Sequence, residues 1–183
     1  MRSPKYIVTT LLLSTFMFSI LSFKTVSNED ENYVWLTWEE AVKKSETDKN
    51  PKKIFVDVYT DWCGWCKKMD KDTFQNPEVA AYMHENFYMV KMDAESKDPI
   101  VYDGKTFKYV ASGRRGYHEL AAALLQGKLS YPTVIFLNEK RQILSPVPGY
   151  QKADAFLKIA KYFGDDIYLK KNWQEYDAES KVN

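Results

Sequence analysis

Lys53-Ile54-Phe55-Val56-Asp57-Val58-Tyr59-Thr60-Asp61-Trp62-Cys63-Gly64-Trp65-Cys66-Lys67-Lys68 is the stretch whose reading decides the fold. Ile54 to Tyr59 is apolar and rich in β-branched residues except for Asp57, the pattern of a buried strand. Thr60-Asp61-Trp62 then connects to a helix that begins at about Cys63 and continues through Met69 and Lys71. Cys63 and Cys66 are the only two cysteines of the chain. A disulfide between them closes a loop too short to constrain much of the unfolded chain, so its value is chemical rather than structural. A helix N-terminus offers unpaired N–H groups and a partial positive charge, which favour the thiolate, the species that attacks a disulfide.

The order of events follows from these positions. Cys63, at the strand-to-helix junction, is the expected nucleophile, and it needs to be exposed and partly ionised. Cys66 lies one turn further on and deeper, placed to resolve a mixed disulfide by attacking Cys63. Its proton must go to a base. Asp57, the lone acid of the strand leading to the site, is the candidate, because burial would raise its pKa into a range useful for proton exchange. A second component is Tyr131-Pro132-Thr133, a proline at a strand entrance. Prolines after aromatic residues are among those found cis, at roughly 5–6% of X–Pro bonds overall, and the bond is undecided from sequence alone.

Outward from the motif, the spacing predicts a helix capped by Thr37 with Glu40 three residues later, running to about Ser45. A second helix is expected to open at Asn76-Pro77-Glu78, with proline at its first position, and to run over Val79 to about Glu85, followed by a strand from Phe87 to Asp93. Ala94 to Gly116 is polar and long for a loop. Asp103-Gly104, between Ile100-Val101-Tyr102 and Thr106 to Tyr109, signals a hairpin in an inserted segment. Tyr117 to Leu125 reads as a helix stopped by Gly127, and Ser130 to Leu137 as a strand. Gln142-Ile143-Leu144 returns antiparallel. A last amphipathic helix after Gly149 carries Ala153, Phe156, Leu157, Ala160 and Phe163 on one face. The tail offers Ile167, Tyr168, Leu169 and Trp173 for docking. Strand, crossover helices and second strand make a parallel βαβ unit, which together with the closing hairpin predicts one mixed sheet with helices on both faces.

At the N-terminus, Arg2 and Lys5 precede Ile7 to Phe23, which has no charge. That length falls between a cleaved signal core of roughly 7 to 15 residues and the roughly 18 or more of a spanning helix. Residues 1–23 therefore read as a signal peptide or an N-terminal anchor, 24–34 as a polar linker, 35–164 as the domain and 165–183 as a tail. A formal net charge of +1 gives no electrostatic case for nucleic acid or an anionic membrane surface. An exported domain stapled by disulfides would show several dispersed pairs, whereas this chain has one local pair.

Val56 to Met69, with Tyr131-Pro132-Thr133 and Gly149 downstream, resembles the thioredoxin superfamily. The chain is most similar to exported thioredoxin-like proteins and to the periplasmic C-terminal domain of transmembrane thiol:disulfide interchange proteins, over approximately Trp35 to Phe163. The resemblance implies a three-layer α/β fold with an insertion before the cis-proline strand. It implies Cys63 as nucleophile, Cys66 as resolving thiol and Asp57 as the buried acid. Pro132 matches the cis-proline facing the disulfide, and the backbone of Tyr131 would pair with an extended substrate segment. Trp62 matches the flanking tryptophan, and Trp65 joins it in the expected substrate-binding set. Three departures stand out. Trp65 replaces the proline of thioredoxin, the lysine accompanying the buried acid has no convincing match (Lys91 falls near the right strand), and the segment Ala94 to Leu129 is long and could form a specificity surface.

The expected function is thiol–disulfide exchange on protein disulfides, as a reductase outside the cytoplasm, in a bacterial periplasm. Its partners would be proteins with disulfides or thiols and a membrane electron-transfer protein, with a possible membrane anchor in residues 7–23 and no nucleic acid. An oxidase or isomerase is the rival within the class, since potentials there span from about −270 mV to about −120 mV and Gly64-Trp65 does not select among them. A binding module with a static disulfide is the rival outside it. Neither a metal nor an organic cofactor is expected. A structural zinc site takes four ligands, and beyond the cysteines only His84, expected on a helix surface, and His118, expected within a helix, are histidines.

Overall fold

Strand β1 (Lys53–Tyr59) is central, and its two faces divide the protein's core. The computed structural model describes residues 34–180. Ahead of β1, α1 (Trp38–Thr47) starts with the predicted capping box: Thr37 Oγ1 accepts from the Glu40 N–H at 3.2 Å, and Glu40 accepts from the Thr37 N–H at 2.8 Å. After β1 come α2 (Gly64–Met69), a π-helical turn (Asp70–Phe74), α3 (Pro77–Asn86) and β2 (Phe87–Asp93). Asn76 Oδ1 accepts from the N–H groups of Glu78 and Val79, which explains why α3 begins where Pro77 stands. Two small ribbons follow, β3 (Ile100–Tyr102) with β4 (Lys105–Phe107), and β5 (Tyr109–Val110) with β6 (Tyr117–His118). The order then runs α4 (Glu119–Leu124), β7 (Thr133–Leu137), β8 (Ile143–Pro148), α5 (Ala153–Gly164), a 3₁₀ turn (Ile167–Leu169) and α6 (Trp173–Glu179).

The main sheet has the order β2-β1-β7-β8. β1 pairs in parallel with β2 and antiparallel with β7, so the sheet is mixed as expected. β8 lies at its edge, where Pro146 and Pro148 interrupt no central ladder. Alternation along β1 sends Ile54, Val56 and Val58 to a cluster with Trp38 and Ala41 of α1 and Leu120, Ala121 and Leu124 of α4. Phe55 points the other way, to Met69, Phe74, Val79, Met83 and Phe156 beneath α2, α3 and α5. Phe55 meets Phe74, Phe136 and Phe156 with ring centroids 5.8, 5.4 and 5.5 Å away. Each such buried ring contributes roughly 1.5–3 kcal/mol by leaving water. Asp57 shares this second face, under α2.

Several boundaries differ from expectation. The helix after the cysteines does not continue as α-helix through Lys71: it ends at Met69 and widens into the π-helical turn, where Gln75 N–H reaches back to the Asp70 carbonyl. The helix expected over Tyr117 to Leu125 starts at Glu119. Tyr117 and His118 instead pair with Val110 and Tyr109, and His118, extended at φ −85° and ψ 129°, caps α4 through Nδ1, which accepts the Leu120 N–H at 3.2 Å. In the tail, Ile167, Tyr168 and Trp173 pack on the second cluster, with Trp173 edge-on to Tyr162 at 5.3 Å. Leu169 does not dock and stands exposed. The expected signal or anchor in residues 1–23 lies outside the described residues.

Candidate active site

Cys63 is the N-cap of α2. Its N–H donates to the Thr60 carbonyl at 3.0 Å, closing the turn out of β1. Its Sγ accepts the Cys66 N–H at 3.1 Å, taking the capping place that a serine or aspartate oxygen usually fills. Cys63 and Cys66 are joined in a disulfide, with S–S 2.06 Å and Cα atoms 5.3 Å apart. The expectation of an exposed first cysteine is not met in this oxidised state, because Cys63 keeps 4% of its surface and Cys66 3%. The large apolar side chains exposed at the motif are its tryptophans, Trp62 at 51% and Trp65 at 59%.

Below α2, Asp57 is 1% exposed, and among the described residues neither carboxylate oxygen accepts a hydrogen bond. Lys91 Nζ stands 3.3 Å from its Oδ2. The same ammonium also pairs with Asp70, whose backbone N–H donates to the Cys66 carbonyl one turn back. Lys91 additionally lies over the rings of Trp35 and Tyr59, 4.8 and 5.2 Å from their centroids. Burial pushes the Asp57 carboxyl up to about 7, against the pull of Lys91, with Asp70 adding to the rise. A carboxyl poised there can take and return a proton near neutral pH. The lysine without a convincing match in the sequence is thus Lys91. Asp57 and Lys91 are each the fifth residue of a seven-residue strand, a match that gains meaning only from the parallel register, which sets them side by side.

The Tyr131–Pro132 peptide bond is cis. The Pro132 carbonyl accepts the Gly149 N–H at 2.8 Å, and Gly149 has φ +90°, a conformation that favours glycine. Thr133 Oγ1 donates to the Ser130 carbonyl at 2.8 Å. Among the described residues, the Tyr131 N–H and carbonyl have no backbone hydrogen-bond partner. The Tyr131 ring meets Trp62 edge-on at 6.0 Å, which brings the proline segment to the cysteine motif. Trp62 Nε1 donates to Glu95 Oε1 at 3.0 Å, and the Arg115 guanidinium lies 4.2 Å from the Trp62 ring. Glu95 and Arg115 carried no signal in the sequence, since only the chain path of the insertion brings them here. On the opposite flank Trp65 packs on Tyr150 at 5.4 Å, beside an open groove of about 630 Å³ lined also by Lys68, Asp72 and Lys152.

A mixed four-stranded sheet between helices, a C-x-x-C on the first turn after its central strand and a cis-proline ahead of the neighbouring strand define a thioredoxin-fold protein. The chain belongs to the Thioredox_DsbH family, described as a protein of unknown function, DUF255, whose model matches residues 23–153. It is similar to spermatogenesis-associated protein 20 of Mus musculus, 32% identical over 84 residues that make up 45% of this chain and 10% of that protein. It is also similar to the disulfide bond reductase DsbH of Chlamydia pneumoniae, 31% identical over 67 residues, 37% of this chain and 40% of the relative. The chain thus spans about a tenth of the length of the longer curated relatives it matches. Among solved structures, a thioredoxin-fold protein from Helicobacter pylori superimposes with a TM-score of 0.53 at 18% identity, covering 72% of this chain and 81% of that one. That likeness is one of fold.

Proposed function

We propose that this protein is a thiol–disulfide oxidoreductase that reduces disulfides of partner proteins through Cys63 and Cys66. The observation that carries the reading is Cys63 as N-cap of α2, its sulfur receiving the Cys66 N–H, with the proton-poised Asp57 on the sheet face under the same helix. In the reduced protein the Cys63 thiolate attacks one sulfur of a substrate disulfide and expels the other as a thiolate. Cys66 passes its proton to Asp57 and attacks Cys63 Sγ. The second substrate sulfur leaves as a thiolate, both substrate thiolates take up protons, and the protein holds the disulfide seen in the structure. Two electrons have moved to the substrate.

Trp62, Trp65, Tyr131 and Pro132 form the docking platform in this reading, with the free backbone groups of Tyr131 hydrogen-bonded to an extended substrate segment. The direction of transfer is supported by the name of the Chlamydia pneumoniae relative, a disulfide bond reductase. Reducing equivalents would come from a membrane electron-transfer partner. Residues 35–164 would act outside the cytoplasm, in a bacterial periplasm, delivered by the signal or anchor of residues 1–23 through the linker 24–34. The test is the equilibrium potential of the Cys63–Cys66 pair in dithiothreitol and glutathione buffers. A value near the thioredoxin end, about −270 mV, is expected, a value near −120 mV marks an oxidase, and absence of exchange rules out the enzyme.

A further inference from the structure

Arg115 lies over Trp62, among the charged groups that gather on the flank of the dithiol. Glu95 is bonded to Trp62 Nε1, and Lys68 is paired with Asp72 at 2.5 Å. The Arg115 guanidinium has neither an ion-pair nor a hydrogen-bond partner among the described residues, and its one charge-directed contact is the face of Trp62. A guanidinium held over an indole face by cation–π attraction can still offer its N–H groups to a carboxylate through two parallel hydrogen bonds.

The backbone that carries Arg115 is held in place. The β5–β6 ribbon is paired at its base through Tyr109–His118 and Val110–Tyr117. Within its connecting turn the Arg115 N–H donates to the Ser112 carbonyl at 3.2 Å, and the next N–H, of Gly116, donates to Tyr109 Oη at 2.9 Å. A Cβ at Gly116 would fall 2.2 Å from the Val110 carbonyl oxygen and 2.4 Å from Tyr109 Oη, so the ribbon closes tightly only around glycine. His118 anchors the far end: Nδ1 accepts from Leu120, so Nε2 carries the proton and donates to the Asp98 carbonyl at 3.1 Å. An anchored ribbon therefore lays an unpaired cation over the tryptophan next to Cys63, on the flank where Tyr131 presents its free backbone groups.

We infer that Arg115 is a specificity residue that selects partner segments carrying an Asp or Glu close to the reacting cysteine. The inference rests on the oxidoreductase reading for its consequence and on the Trp62–Arg115 geometry for its substance. An extended segment paired at Tyr131 would pass along Trp62, and a carboxylate there would complete the guanidinium fork. A neutral segment leaves that fork to water. Glu95 keeps its negative charge although one oxygen accepts from Trp62. It therefore favours a cationic segment and opposes an acidic one, and the contrast that isolates Arg115 is acidic against neutral, with and without the guanidinium.

Two peptides test this, identical except for Glu or Gln on either side of a single cysteine carried as its mixed disulfide with 2-mercaptoethanol. With the reduced full-length protein, the Glu peptide should be reduced about fivefold faster at low salt, the size of one exposed charge pair. The advantage should shrink as ionic strength rises, vanish in Arg115→Gln and reverse in Arg115→Glu. Equal rates for the two peptides, or an advantage that survives in Arg115→Gln, overturns the inference. The same peptides with serine for cysteine, fluorescently labelled and titrated with the oxidised protein in a polarisation assay, read the preference without sulfur exchange. Arg115-dependent tighter binding of the Glu form supports the inference even if the dithiol exchanges nothing. Indifference of binding to the Arg115 substitutions overturns it even if the dithiol is active.

Discussion

Asp57 Oδ2 and Lys91 Nζ stand 3.3 Å apart between adjacent parallel strands, and the same ammonium reaches Asp70 on the turn that follows Cys66. Lys91 thus connects the floor of the site to the helical segment that carries Cys66. Because Lys91 is shared between two carboxylates, its pull on Asp57 is incomplete, and burial keeps that carboxyl raised to about 7.

The first prediction concerns stability and pH. A carboxyl near 4 in the unfolded chain and about 7 in the folded one binds more protons when folded, so its contribution falls as pH rises between those values and levels off above about 7. The cost at the plateau is about 4 kcal/mol at most. Asp57→Asn should therefore gain stability over the wild type at pH 8 and lose that gain near pH 4. Denaturant unfolding at several pH values checks it, and a difference independent of pH would show that Asp57 does not titrate in this range. The same variant should slow resolution of a preformed mixed disulfide about 100-fold, as expected for loss of a positioned base.

Lys91→Met should act in the opposite sense on the proton. Removing the cation that favours ionised Asp57 leaves burial and Asp70 to push its pKa further up. The base is then available only at higher pH. The midpoint of the pH–rate profile for mixed-disulfide resolution should rise by about one pH unit or more, and Lys91→Arg should restore most of it. An unmoved midpoint would detach Lys91 from the chemistry.

The assignment of the two sulfurs is tested by trapping. Cys66→Ala leaves a nucleophile without a resolving thiol, so mixed disulfides with partners should accumulate and be visible on non-reducing gels. Cys63→Ala removes the N-cap sulfur and should trap none. Equal trapping by both variants would overturn the assignment.

At the opposite end of β1, Lys53 is buried with Nζ 2.8 Å from Glu139 and 2.9 Å from Asp166, tying the closing hairpin and the C-terminal segment to the sheet. Lys53→Ala leaves a void and two carboxylates without their cation, and should cost about 2–3 kcal/mol. Lys53→Met fills the same space without a charge to desolvate, so it should cost about 1 kcal/mol or less, because both carboxylates are half-exposed and can turn to water. Thermal unfolding of the pair of variants separates packing from charge.

Much of the frame was readable in local patterns. The β1 and β2 spans, the Thr37 cap, the helix start at Pro77 and the Asp103-Gly104 hairpin follow from alternation, capping and turn chemistry, which act over a few residues. Errors arose where a local preference met a long-range partner. Tyr117 and His118 carry a helix-like neighbourhood, but pairing with Tyr109 and Val110 holds them extended. Leu169 is apolar, yet the turn that carries it leaves it exposed.

The sequence by itself determined that two thiols sit where a strand turns into a helix, with one acid on the strand behind them and a proline at the entrance of a later strand. Those relations are covalent or local, so chain order conveys them. Only the tertiary structure decided that Lys91 reaches Asp57, that the Tyr131–Pro132 bond is cis, and that the insertion folds back to place Glu95 and Arg115 on Trp62. Each of these depends on strand register or on the path of a loop through space, and contacts between segments distant in sequence carry no periodic signal along the chain.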